Sequence, residues 1–143
     1  LAKSILNNNE DVKDAVQEAV LTAYEKLGSL RDEHSFKPWI MRILANTAYS
    51  MIRRSKPNTD IDSLAEELPA PQDEDREESM ALWQAVRGLG ESLRTVTVLF
   101  YYDDMPIKDI SRALGITEGT VKARLSRARA KLRIAMSERE ETL

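Results

Sequence analysis

With 143 residues, 42% of them hydrophobic, the chain can bury one ordinary core or two small ones, and it is too apolar for wholesale disorder. Cysteine is absent, which excludes a disulfide framework, a thiolate zinc site and a cysteine nucleophile; one histidine, His34, argues against a histidine metal site or a serine–histidine triad. The net charge of −3 hides a segmented chain, +2 over residues 1–56, −8 over 57–81 and +3 over 82–143, so two basic-leaning pieces flank an acidic one.

No apolar run approaches the ~18 residues of a membrane span, and there is no signal-peptide pattern. The composition fits a reducing cytoplasm, the expected location. The chain opens on Leu1 rather than Met, and missing N-terminal sequence is expected before it.

From Val12, apolar residues recur at Ala15, Val16, Ala19, Val20, Ala23 and Leu27, the one-sided spacing of an amphipathic helix. Asn8 or Asn9 is its expected cap, Glu10 and Asp11 favour its positive end, and Gly28 is its expected stop. A second helix is expected over about Ser35–Arg54, with Pro38 in its first turn and Pro57 beyond its end. Its expected buried face is Phe36, Trp39, Ile40, Ile43, Leu44, Thr47 and Met51.

Pro57, Pro69, Pro71 and the acidic run Asp73 to Glu78 then make a poor core-former: proline removes backbone donors and like charges repel. Residues 56–78 read as a flexible acidic linker, in which Ile61, Leu64 and Leu68 are able to dock as a transient helical turn. Four more helices are expected near Met80–Leu89, Ser92–Tyr102, Pro106–Leu114 and Glu118–Met136. No segment shows sustained alternation, so the expected fold is all-α, two small helical domains at 1–55 and 79–143 joined by that linker.

The strongest local signal is Pro106-Ile-Lys-Asp-Ile-Ser-Arg-Ala-Leu-Gly-Ile-Thr-Glu-Gly-Thr-Val-Lys-Ala-Arg-Leu125. Pro106 opens a short helix with Ile107, Ile110 and Leu114 facing inward. Gly115 supplies a turn in which positive φ penalises a side chain, Ile116 plugs the angle, and Thr117 caps the next helix. Val121, Leu125 and Ala128 form that helix's packed side. Lys122, Arg124, Arg127, Arg129, Lys131 and Arg133 put six basic residues in twelve positions on its other faces. A basic run alone is usually a solvated surface; joined to a turn glycine and a cap, it points to a helix that grips phosphates or reads guanine edges in the major groove.

These residues resemble a known family. Leu114-Gly-Ile-Thr-Glu-Gly-Thr-Val-Lys-Ala-Arg-Leu-Ser-Arg-Ala-Arg-Ala-Lys-Leu-Arg133 is similar to region 4 of extracytoplasmic-function (ECF) sigma factors of RNA polymerase, in the sigma-70 family. Asp14-Ala-Val-Gln-Glu-Ala-Val-Leu21 resembles the part of their region 2 that docks on core polymerase. Phe36-Lys-Pro-Trp-Ile-Met-Arg-Ile-Leu-Ala-Asn46, followed by Ile52-Arg-Arg54, resembles their minus-ten recognition helix.

The resemblance implies a region 2 helix bundle that docks on the β′ clamp helices and captures melted minus-ten DNA. It also implies a region 4 helix-turn-helix that reads the minus-thirty-five duplex and touches the β flap. For core polymerase it selects Asp14, Gln17, Glu18 and Leu21, which with Glu25 share an exposed helix stripe. For minus-ten DNA it selects Arg42, Asn46, Tyr49, Ser50 and Arg53, expected to project away from the core face: arginine for phosphates, asparagine for a base edge, tyrosine for stacking on an unpaired base. Residues Ser29–Ser35 are the neighbouring loop that in relatives helps hold an extruded base. For minus-thirty-five DNA it selects Thr120, Lys122, Arg124, Arg127, Arg129 and Lys131. Departures are Val20, where relatives often carry an aromatic, Ser50, where an acid is common, and Ser111 in place of a frequent alanine. The front of region 2 is expected to lack one packing helix.

The expected function is therefore promoter-specific transcription initiation as a dissociable polymerase subunit, with promoter DNA and core polymerase as partners and an anti-sigma factor as a further one. No cofactor, metal or catalytic residue is expected. The rival reading is a stand-alone helix-turn-helix regulator with residues 1–55 as a sensor or dimerisation domain. Acid–base chemistry at Glu18 has no nucleophile, metal cluster or phosphate loop beside it.

Overall fold

The computed structural model describes residues 1–55 and 74–142. The linker expectation over 56–73, with Ile61, Leu64 and Leu68, lies outside the described residues.

Among the described residues there are helices and no strand: α1 Ala2–Ile5, α2 Asn9–Glu25, α3 Phe36–Ser55, α4 Glu74–Arg87, α5 Glu91–Thr97, α6 Ile107–Leu114 and α7 Glu118–Thr142. The all-α expectation holds. Asn8 caps α2 as expected, its side-chain oxygen accepting the Asp11 N–H at 2.8 Å. The other end differs from expectation, because α2 stops at Glu25 and Gly28 keeps an ordinary φ. A 3-10 turn over Leu27–Ser29 takes up the last carbonyls instead, with the Ser29 hydroxyl donating to the Lys26 carbonyl at 2.6 Å.

The faces of α2 and α3 also correct the sequence reading. On α2 the small residues Ala15 and Ala19 are buried, whereas Val16 and Val20, and Leu27 just beyond the helix, are 43%, 57% and 53% exposed. Alanine lets α2 lie close along α3, and that close approach uses the alanine line rather than the bulkier one beside it. On α3 the packed stripe runs through Met41, Ala45, Ala48 and Ile52, spaced by three and four residues. Phe36, placed in the core by periodicity, is half exposed and leans against Trp39. The reason is tertiary: α3 lies between α2 and α6, so its small-residue face is covered by a partner distant in sequence.

Helix α4 begins at Glu74 rather than near Met80 and takes in most of the acidic run. Gly90 precedes α5, which buries Leu93, Thr95, Val96 and Thr97. The two threonines satisfy their hydroxyls on their own helix, Thr95 on Glu91 at 2.9 Å and Thr97 on Leu93 at 2.7 Å. A π turn over Val98–Tyr102 follows, burying Val98 and Leu99 and leaving Tyr101 and Tyr102 outward. Asp104, at φ +53°, turns the chain towards α6.

The main core joins Val96, Leu99, Met105, Ile110, Ala113, Val121 and Leu125, and Met41 of α3 packs onto it. A smaller one joins Ile5, Leu6, Ala15 and Ala48. The halves of the chain are therefore in contact, α3 on α6 and α1 on α4 and α5.

Candidate nucleic-acid interface

The turn between α6 and α7 is built from local chemistry. Gly115 adopts φ +67° and ψ +34°, a left-handed conformation that costs a residue with a Cβ. Its N–H and that of Ile116 both donate to the Ser111 carbonyl, at 3.0 and 3.2 Å, and the Ser111 hydroxyl donates to the Ile116 carbonyl. Ser111, in place of the alanine frequent in relatives, therefore ties the turn. Thr117 then caps α7, its hydroxyl accepting the Thr120 N–H at 3.1 Å. Val121, Leu125 and Ala128 are at most 2% exposed, and Ile107, Leu114 and Ile116 pack against the same core, all as expected.

At 100° per residue, the expected DNA contacts of α7 fall on two flanks. Thr120, Arg124, Arg127 and Lys131 lie on one, Lys122 and Arg129 on the other, beside Arg133. Between them, opposite the packed side, the exposed centre of the helix is Ala123, Ser126 and Ala130. A seam of small residues edged by basic ones lets a helix backbone sit deep in a groove while its flanks reach phosphates and base edges. Arg124 is half-buried, and Lys122, Arg127 and Lys131 are exposed. Arg129 turns elsewhere: it donates to the Tyr101 hydroxyl at 3.2 Å. With Leu82, Tyr101, Tyr102, Leu132 and Met136 it lines an apolar groove of about 600 Å³ between α4, the π turn and α7. That groove had no signal in the local sequence, because its walls come from three elements.

On α3, Arg42, Asn46, Tyr49 and Arg53 form one stripe by their spacing of four, three and four. Arg42, Asn46 and Arg53 are exposed, and the Arg53 guanidinium donates to the Ser50 hydroxyl at 3.2 Å. Tyr49 was expected to project outward with them; instead it is half-buried and its hydroxyl meets that of Thr95 on α5. Burial pushes its phenol pKa up, against a smaller opposing effect of the Thr95 hydrogen bond. It lies at the border between the exposed stripe and the packed one, and α5 claims it.

On α2, Asp14, Gln17, Glu18, Leu21 and Glu25 are all exposed, with Leu21 at 65%. Glu18 also reaches Arg54 of α3 at 3.7 Å, a surface pair that helical spacing alone does not reveal. Among the described residues no group of three or more metal-ligating side chains converges, and no helix is long and apolar enough to cross a membrane.

Residues 1–57 match the family model for Sigma-70 region 2, and residues 79–132 match that for Sigma-70, region 4. The chain is 34% identical to the ECF RNA polymerase sigma factor SigM of Mycobacterium tuberculosis, over 92% of this chain and 67% of that protein. The fold is shared with a sigma factor RpoE from Bartonella quintana, solved in complex with the anti-sigma factor NepR. The TM-score is 0.79 over 95% of this chain and 87% of that one, at 24% identity. CnrH, solved with the cytosolic domain of CnrY, gives a TM-score of 0.71 over 96% of this chain and 78% of that one, also at 24% identity. Two sigma-70 regions in order, with a relative at this identity across nearly the whole chain, place it: the protein belongs to the ECF family of RNA polymerase sigma factors and directs promoter-specific transcription.

Proposed function

We propose that the work divides along the chain, with residues 1–55 as region 2 and 79–143 as region 4, joined by the segment 56–78, which runs into the first turn of α4. Region 4 reads the minus-thirty-five duplex through α7. The observation that carries this is the small-residue seam of Ala123, Ser126 and Ala130, with Thr120, Arg124, Arg127 and Lys131 on one flank and Lys122 on the other. Arg129, held by Tyr101, contributes charge from the groove side rather than a base contact. Region 2 captures unpaired minus-ten bases with Arg42, Asn46, Tyr49, Ser50 and Arg53 of α3.

The stripe Asp14, Gln17, Glu18 and Leu21 docks on the β′ clamp helices, an acidic surface with one exposed leucine suited to a basic, partly apolar helix. The apolar groove between α4 and α7 fits a partner helix such as that of the β flap, with Arg129 and Arg133 at its edge. An anti-sigma factor is a further partner of the chain, as NepR is of the sigma factor RpoE. The chain performs no catalysis of its own and acts in the cytoplasm, where polymerase forms the phosphodiester bonds.

Site-specific photocrosslinking in the assembled holoenzyme tests these placements. A photoreactive residue at Ser126 is expected to label the minus-thirty-five duplex, one at Asn46 the minus-ten strand, and one at Leu21 the β′ subunit. Labelling of β′ from Ser126, or of DNA from Leu21, would overturn the assignment.

A further inference from the structure

Of the basic residues Lys122, Arg124, Arg127, Arg129, Lys131 and Arg133 on α7, Arg129 is the one that another element holds among the described residues. Its guanidinium donates to the Tyr101 hydroxyl at 3.2 Å. Helix geometry does not set it apart. Arg129 follows Lys122 by seven residues, which at about 100° per residue returns it to the same flank of α7, about 10 Å farther along the axis. Both side chains are exposed, and both start from the flank that borders Ala123, Ser126 and Ala130. What separates them is the tyrosine hydroxyl.

The π turn places that hydroxyl. The turn is wide, the Asp103 N–H bonding back to the Val98 carbonyl at 3.0 Å, and it buries Val98 and Leu99 while leaving Tyr101 exposed beside α7. The Phe100 ring meets that of Tyr101 edge-on, at 4.9 Å between centroids and 85° between planes, which steadies the phenol. A hydroxyl is a neutral acceptor. It keeps the guanidinium in place without cancelling its charge, as a carboxylate at the same point would do.

We propose that Tyr101 is a positioning residue: it restrains Arg129 on the groove side of α7, away from the phosphates, and so holds down the sequence-independent part of DNA binding. This rests on the reading of α7 as the helix that meets the minus-thirty-five duplex. Phosphate contacts carry no sequence information, yet each one releases counterions and tightens binding to every duplex. A freed Arg129 starts from the same flank as Lys122 and adds one such contact. Restrained, it lends positive charge without a grip. A subunit that must find promoters among a large excess of other DNA gains from a weak hold on the rest.

Tyr101→Phe removes the hydroxyl and keeps the ring against Phe100. Fluorescence anisotropy of the full chain, across a salt series, reads the effect on a duplex carrying the minus-thirty-five element and on an unrelated duplex of the same length. Tyr101→Phe is expected to tighten both about fivefold, the scale of one further contact. It is also expected to steepen the fall of log affinity with log salt by about 0.9, the value for one more phosphate. In an Arg129→Gln background the same substitution is expected to change neither quantity. A damaged fold lowers binding and slope instead of raising them, so the direction of change separates restraint from support. Unchanged or weakened binding by Tyr101→Phe, or a gain that persists with Arg129→Gln, would overturn the restraint. Arg127→Ala on the same duplexes tells that failure from failure of the reading beneath it. If Arg127→Ala weakens minus-thirty-five binding while Tyr101→Phe does nothing, the restraint falls and α7 keeps its role; if neither alters binding, the DNA role of α7 falls with the restraint.

Discussion

Ser111 and Ile116 bond each other in both directions across the helix-turn-helix: the Ser111 hydroxyl donates to the Ile116 carbonyl, and the Ile116 N–H donates to the Ser111 carbonyl at 3.2 Å. The pair closes the turn that sets the angle between α6 and α7, and hence how α7 meets DNA. Replacing Ser111 with alanine removes one of the two bonds and is expected to cost ~1 kcal/mol of stability. Urea denaturation of the purified chain measures it.

The glycines on either side of Thr117 are expected to respond in opposite directions. A Cβ at Gly115 meets nothing within 4 Å, so the cost there is conformational: at φ +67°, Gly115→Ala should destabilise by ~1–2 kcal/mol. Gly119 lies in the first turn of α7, where an added Cβ finds only the Thr117 hydroxyl at 3.9 Å. Gly119→Ala should therefore stabilise by ~0.5–1 kcal/mol. Thermal melts of the two variants give the comparison.

Promoter recognition should divide the arginines of α7. Arg124→Ala and Arg127→Ala are each expected to weaken minus-thirty-five promoter use by ~1–3 kcal/mol, the scale of a base-specific contact. Arg129→Ala should affect all sequences alike and less, because that side chain is engaged with Tyr101. Run-off transcription on wild-type and altered minus-thirty-five elements separates these cases; unchanged discrimination in both of the first variants would show that other side chains read the bases.

Reversing Asp14 and Glu18 to lysine sets like charge against a basic partner and is expected to abolish core binding. The fold should survive, because the Glu18–Arg54 pair spans 3.7 Å between exposed side chains, and such pairs contribute ~0–1 kcal/mol. Pull-down of core enzyme, with circular dichroism as the control for helicity, checks both halves of the expectation.

The helix-turn-helix was legible in sequence because its determinants are local: Gly115, the Thr117 cap and the inward residues Ile110, Val121 and Leu125 all lie within one short stretch. The cap of α2 at Asn8 was legible for the same reason. The packed faces of α2 and α3 were legible only in part: Ala15, Ala19 and Thr47 lay on the expected stripes and are buried, whereas Val16, Val20 and Phe36 are exposed, and the burial of Ala45 and Ala48 depends on which helix lies opposite. The position of Tyr49 was hidden in the same way: its neighbour Thr95 is 46 residues away. The acidic run misled because repulsion between Asp73 and Glu78 suggested an extended linker, yet helix already begins at Glu74.

The most direct test of the central claim is run-off transcription by purified core RNA polymerase with and without this chain, on a template carrying its promoter. The expected result is a transcript from one start site that requires the chain and disappears when either the minus-ten or the minus-thirty-five element is scrambled. A chain that leaves core polymerase silent on that template, yet by itself binds the duplex tightly and specifically, would contradict it and establish a stand-alone regulator.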